Sequence, residues 1–364
     1  MMPFMDLILS ILVSSVLLLN CKSSFHESPR RDAGSEVTSF FYVGGKYENF
    51  TIYVEEYVPQ NPTQPYPIIF IAGAGQTGTN WLTTPDGRPG WASFFLDHGY
   101  TVYLTDQTSR GRSPWYPGIG FMVASGTSDI ETLFTSTSHN LWPQAHLHTQ
   151  WPGTGKVGDP TFDAFYAAQV QLQADQPISE ESNTKAHSAL LDRIGPAYVL
   201  THSQAGSYGW RIGDARPNLV KGIVALEPAG PPFDQKYPYT GRARPWGITI
   251  GEIEYEPSAG PNATDLDTVI IPAKDQDHTE CVLQSEPPKL LKNLQAIPAL
   301  VVGAEASFHA PYEYCTAEYL KQAGVDVEFA DLGEQGIKGN GHMMFMEKNN
   351  LEIAEVVLTW IQKQ

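Results

Sequence analysis

The 364-residue sequence predicts an α/β fold: a mostly parallel eight-stranded sheet with helices on both faces and cap insertions. Three observations carry this. Eight short runs rich in β-branched and aromatic residues recur with helix-compatible stretches between them. From residue 68 onward most of these runs are continuously apolar, as strands covered on both faces require. The length suits one large domain with a substantial core rather than two tandem domains of ordinary size.

Taken in order, residues 1–24 hold the apolar run 7–19 and then Asn20-Cys21-Lys22-Ser23-Ser24, which reads as a secretory signal peptide. The run is too short to span a bilayer comfortably, and no later stretch matches it. Its leading segment carries Asp6 and no Lys or Arg, which leaves an uncleaved anchor or a lipid-bearing Cys21 as lesser alternatives. Residues 25–364 form the single predicted domain. Its strands are expected at 39–43, 51–58, 68–72, 101–105, 198–201, 222–226, 299–303 and 325–329, the first two alternating in pattern and suited to an antiparallel hairpin at a sheet edge. A terminal helix is expected at 349–363.

Two stretches break the rhythm, near 113–185 and near 230–287. Structureless loops of that length are uncommon in a compact domain, so both read as insertions that build a cap or pocket wall. Their aromatic residues Trp115, Tyr116, Phe121, Trp142, Trp151, Tyr237, Tyr239 and Trp246 favour a wall over solvent-facing decoration.

Arg and Lys number 23 against 40 Asp and Glu, a net charge of -17 that repels phosphate backbones and anionic membrane surfaces. Nucleic acid is excluded as a partner on that ground, and no stable membrane association is expected once the leader is removed. After cleavage two cysteines remain, Cys281 and Cys315, an even count that suits one disulfide in an oxidising compartment. Asn49 and Asn262 each open a glycosylation sequon. Together these features predict a secreted protein.

Three segments carry chemistry. Tyr198-Val199-Leu200-Thr201-His202-Ser203-Gln204-Ala205-Gly206 is an apolar strand, a serine in a turn of mostly small residues, and the start of a helix. It reads as an elbow that lifts a nucleophilic Ser203 above the sheet, although Thr201 and Ala205 stand where G-x-S-x-G has glycines. A helix-capping serine is the competing reading. Ile68 to Gly78 is a strand running into a glycine-rich loop, where the amides of Ala74, and of Gly75 as a second candidate, together with that of Gln204, are expected to hold an oxyanion. Gly73, Gly75 and Gly78 match G-x-G-x-x-G, but Thr79-Asn80-Trp81 and then the turn-like Thr84-Pro85-Asp86-Gly87 follow instead of a helix, which disfavours a nucleotide site.

The third segment, Gly339-Asn340-Gly341-His342-Met343-Met344, lies between the last predicted strand and the terminal helix. His342 is the one histidine after that strand and stands where a general base belongs in the order nucleophile, acid, histidine. Two carboxylates at strand ends between Ser203 and His342 compete as the acid, Glu227 and Glu305, and the residues themselves leave that choice open.

These segments resemble α/β-hydrolases related to a secreted bacterial esterase, a group with many fungal members. The likeness rests on Thr77-Gly78-Thr79-Asn80-Trp81 with Thr84-Pro85-Asp86-Gly87-Arg88, on Asp106-Gln107 with Arg110-Gly111-Arg112-Ser113, on His202-Ser203-Gln204, on Glu227-Pro228, and on the His342 block with Asn349-Asn350. It implies the α/β-hydrolase fold and a glutamate acid after the sixth strand, which selects Glu227 over Glu305. The bacterial esterase has two adjacent cysteines beside its oxyanion hole where this chain has Ala74-Gly75, so properties tied to that pair are not expected here. Fungal relatives in natural-product clusters imply an alternative, a condensation or cyclisation on the same scaffold.

The expected activity is hydrolysis of a small-molecule carboxylic ester or lactone through an acyl-enzyme on Ser203, with no metal or organic cofactor. A non-catalytic binding protein on this scaffold is the remaining alternative.

Overall fold

The computed structural model describes residues 39–45, 50–116, 118–136, 140–236 and 240–364. The predicted leader, the sequon at Asn49, and Tyr237 and Tyr239 lie outside them. Eight strands form the central sheet: β1 (Ser39–Val43), β2 (Ile52–Tyr57), β3 (Ile68–Ile71), β4 (Val102–Asp106), β5 (Ala197–His202), β6 (Val220–Leu226), β7 (Ala299–Gly303) and β8 (Val327–Asp331). They lie in the order β1-β2-β4-β3-β5-β6-β7-β8. β1 pairs antiparallel with β2, and β2 antiparallel with β4; the pairings from β4 to β8 are parallel.

The alternation of side chains explains why these runs are apolar throughout. Phe70, Leu200, Val224 and Leu300 are in register across four strands and face one core, shared with Trp91 and Phe95 of helix α1 (Trp91–Asp97) and with Val357 and Trp360 of the terminal helix. Their neighbours Ile69, Val199, Ile223 and Ala299 face the other core. That second core is closed by α3 (Gln176–Ile194), α4 (Ala205–Ala215) and α5 (Glu313–Gln322). With apolar area worth roughly 25 cal/mol per Å², a sheet buried on both faces supplies a rigid platform. The parallel strands all end on one side, and a site built there inherits that rigidity.

The first insertion is not a loop. It holds the two-residue strands Met122–Val123 and Leu172–Gln173 paired with each other, short helical turns between Thr127 and Leu147, and helix α2 (Pro160–Ala167), whose Asp159 side chain caps the Thr161 and Phe162 amides. The second insertion is built of short antiparallel pairs, among them Thr268–Ile271 with Cys281–Gln284. The aromatic residues divide: Trp142, Trp151 and Trp246 are buried, whereas Trp115, Tyr116 and Phe121 are exposed, Phe121 by 85 %. These last three are not part of a buried wall, contrary to expectation. Cys281 and Cys315 form a disulfide with Cα atoms 5.3 Å apart, tying that insertion to α5. Asn262 sits exposed on a short helical turn at φ 54°. The terminal helix α6 runs Asn350–Ile361. No helix among the described residues is long and apolar enough to cross a membrane.

Candidate active site

Ser203 follows β5 directly and holds φ at 54°, a left-handed conformation that costs a non-glycine residue on the order of 1–3 kcal/mol. The surrounding fold imposes it. The Ser203 amide donates to Leu226 O at 3.0 Å, and its carbonyl accepts from the Gly206 and Ala229 amides at 2.9 Å each. Gly206 has no room for a side chain, since a Cβ there would stand 2.2 Å from Pro228 Cβ. The threonine that replaces a motif glycine at 201 is accommodated from the helix: Gly209 on α4 faces it, and a Cβ at 209 would meet Thr201 Cγ2 at 2.9 Å.

The glycine-rich loop after β3 lies against this elbow. A Cβ on Gly73 would stand 2.7 Å from His202 Nδ1 and 3.0 Å from Ser203 Cβ, so the close approach requires glycine. Among the described residues the amides of Ala74, Gly75 and Gln204 have no hydrogen-bond acceptor, and the segments that carry them meet where Gly73 packs on His202 and Ser203. Two residues of the loop after β4, both unassigned in the sequence reading, hold this arrangement. Gln107 donates to Ala72 O at 2.6 Å, and Arg110 donates from Nη1 to Gly73 O at 2.7 Å and from Nη2 to Gln204 Oε1 at 3.0 Å. Arg110 is buried, and desolvation lowers its pKa to about 10. The loop opens a single 3₁₀ turn, Gly78–Trp81, capped by Thr77.

His342 is buried and set by several contacts. Its Nδ1 lies 2.6 Å from Glu227 Oε2. Its ring stacks on Phe134 of the first insertion (centroids 5.3 Å, 22°) and on His309 (4.8 Å, 17°), with Phe308 at 4.7 Å and His202 at 4.4 Å. His202 Nε2 bonds the His342 carbonyl at 3.0 Å, tying the residue before Ser203 to this loop. Buried Glu347 closes the loop from below, accepting from the Gly341 amide and Asn340 Nδ2 and bonding His148 Nε2 at 2.6 Å.

Glu227 follows β6 at φ 42° and is fully buried. Its Oε1 accepts from the Ala304 amide at 2.8 Å and its Oε2 from the Ser307 hydroxyl at 2.6 Å. The alternative acid, Glu305, is elsewhere engaged: it binds Lys338 Nζ and the Gly339 amide, at the start of the histidine loop. Burial raises Glu227 to about 7 against the pull of His309, Ser307 and Ala304, and it holds His342 well below its usual range, His309 adding to the effect. Burial thus disfavours a charge on either partner, and the 2.6 Å contact between Oε2 and Nδ1 is the hydrogen bond that opposes it.

The nucleophile and the base are not bonded to each other: His342 Nε2 is buried without a hydrogen-bond partner, so Ser203 Oγ does not bond it. The imidazole is held by its other contacts, whereas the serine hydroxyl turns on one torsion; such bonds often tighten only with substrate. Glu227, His309 and His342 each offer a donor atom within 4.8 Å of the others, a spacing that a divalent cation could bridge, but the Glu227 oxygens and His342 Nδ1 are already hydrogen-bonded. A cavity of about 570 Å³ is lined by Thr108, Ser109, Pro177, Ile178, Phe50 and Ile119 among others, and Ser203, Glu227 and His342 are not among its lining residues.

No protein-family model matches the chain. Among solved structures it is similar to one described as a novel bacterial esterase, at 21 % identity and TM-score 0.59, with 90 % of this chain and 96 % of that one covered. It is also similar to a thermophilic esterase from Thermogutta terrifontis (11 %, TM-score 0.45, 89 % and 98 % covered) and to naproxen esterase from Bacillus subtilis (13 %, TM-score 0.43, 88 % and 90 %). Identities this low speak to fold alone. With the strand order above, the first likeness establishes the α/β-hydrolase fold.

Proposed function

We propose that the protein is a serine hydrolase that cleaves a small carboxylic ester or lactone through an acyl-enzyme. The observation that carries this reading is a strained, half-buried Ser203 at the end of β5 beside a buried imidazole whose Nδ1 is held by Glu227 at 2.6 Å. His342 Nε2 takes the hydroxyl proton as Ser203 Oγ attacks the substrate carbonyl. Glu227 keeps the proton on Nδ1 and offsets the charge of the imidazolium. The Ala74 and Gln204 amides, with Gly75 as an alternative donor, receive the developing oxyanion. Collapse expels the alcohol, which takes the proton from Nε2. Water, deprotonated by the same nitrogen, then attacks the acyl-enzyme and releases the acid.

The disulfide, the sequon at Asn262 and the apolar leader of the sequence support a secreted enzyme. Hydrolysis of an activated short-chain ester tests the activity. The purified protein should turn it over well above background, and Ser203→Ala should lower kcat by about 10³-fold or more. Equal rates for the two proteins would refute the assignment.

A further inference from the structure

The cavity of about 570 Å³ has no part in the mechanism above, since none of Ser203, Glu227 and His342 lines it. Phe50 ahead of β2, Ile119 of the first insertion, and Pro177 and Ile178 at the start of α3 bring apolar side chains to its wall. Ile178 is 40 % exposed, in a first helical turn where a polar residue is the ordinary choice. The stretch that carries Ile119 is fastened along the segment leading into α3: Gln173 Nε2 donates to Ile119 O, and the Ala174 amide donates to Phe121 O at 2.9 Å.

One polar group in this wall is held without a partner. Ser109 lines the cavity, is 3 % exposed, and sits at φ 59°, in the left-handed region. The residues on either side are pinned. The Thr108 amide donates to Asn183 Oδ1 at 3.0 Å and its hydroxyl pairs with Ser182 Oγ at 2.7 Å, while Arg110 reaches Gly73 O. Among the described residues the Ser109 hydroxyl makes no hydrogen bond, and its oxygen is not sealed by protein atoms, so it is open to the cavity. Buried polar groups in folded proteins are nearly always paired, and strained backbone concentrates at binding sites.

The charged side chains of the wall are engaged with one another. Glu181 accepts Arg211 Nη2 at 2.7 Å and Lys185 Nζ at 3.2 Å. Arg211 Nε donates to Glu252 O, and its Nη1 lies 3.7 Å from Glu180 Oε1, which also accepts the Gly251 amide. Among the described residues the wall thus offers apolar surface, one open hydroxyl and no unpaired charge. We propose that the cavity is a binding site for an uncharged, largely apolar small molecule with a single hydrogen-bonding group, which pairs with Ser109 Oγ. Its volume falls within the range of about 300–1,000 Å³ that small-molecule sites occupy. The site is separate from Ser203, and the inference does not depend on the function proposed above.

The test is a fluorescence titration of the full-length protein with N-phenyl-1-naphthylamine, which is uncharged and carries one N–H, and with its sulfonated analogue 1-anilinonaphthalene-8-sulfonate. Salt at about 0.5 M keeps the net charge of -17 from deciding the comparison. The uncharged probe should saturate at one equivalent and bind about tenfold or more tighter than the sulfonate. Ile178→Asp sets a carboxylate in the wall at an exposed position near a helix N-terminus, where Asp is tolerated, and should weaken the uncharged probe by about tenfold or more. Ser109→Gly removes the hydroxyl, suits the left-handed backbone, and should weaken it by about fivefold. Phe134→Leu alters the ring stacked on His342 and should bind as wild type does. Unchanged binding in Ile178→Asp or in Ser109→Gly overturns the proposal, as does tighter binding of the sulfonate. A loss in Phe134→Leu equal to that in Ile178→Asp would put the probe beside His342 and overturn it as well.

Discussion

Glu227 concentrates the physical tension of the molecule. Its backbone sits at φ 42°, its carboxylate is fully buried, and three donors share its two oxygens. Because burial raises its pKa from 4.5 to about 7, the folded state binds a proton there more tightly than the unfolded chain. The stability this contributes is complete below the unfolded value and is lost as pH rises through about 7. Glu227→Gln abolishes the titration. Its melting temperature relative to wild type should therefore rise by a few degrees, about 2–6 °C, between about pH 5 and about pH 8, while kcat falls by about 10²-fold or more through loss of the tautomer control. Parallel melting curves across that range would contradict this account of the buried carboxylate. The choice between Glu227 and Glu305 was not legible from the residues themselves, since both end strands. Distance separates them in the fold: one carboxylate meets the imidazole, and the other ties down the loop that carries it.

At the scale of elements, the strands were read within two residues of their ends, because continuous apolar runs bounded by glycine and proline admit few alternatives. The insertions were legible as interruptions but not as structures, since two-residue strands leave no periodicity to detect. The support of the glycine-rich loop was equally hidden. Arg110 lies 37 residues from Gly73 and 94 from Gln204, and its role is set by strand order alone. Since Arg110 spans the two segments that carry the free amides, Arg110→Met should lower kcat by about 10²-fold with KM within about threefold of wild type. A raised KM with kcat intact would assign Arg110 to substrate binding instead.

At the scale of the whole molecule, the sheet brings together residues separated by more than a hundred positions, and only chain order hinted at that meeting. Glu227 and His342 are 115 apart, His202 and the His342 carbonyl 140. The disulfide acts on this scale too. It closes a 34-residue separation between the second insertion and α5, the helix that begins with Glu313. In the chain-entropy view a loop of that size contributes about 3–4 kcal/mol, so replacing both cysteines by alanine should lower the melting temperature by roughly 6–12 °C. An unchanged midpoint would mean that the insertion is held by its other contacts. The central claim is that Ser203 is an activated nucleophile, and the most direct measurement is peptide mapping by mass spectrometry after reaction with a fluorophosphonate. A single adduct on Ser203, absent from Ser203→Ala and slowed in Glu227→Gln, is the predicted result; no adduct, or one on another residue, would contradict it.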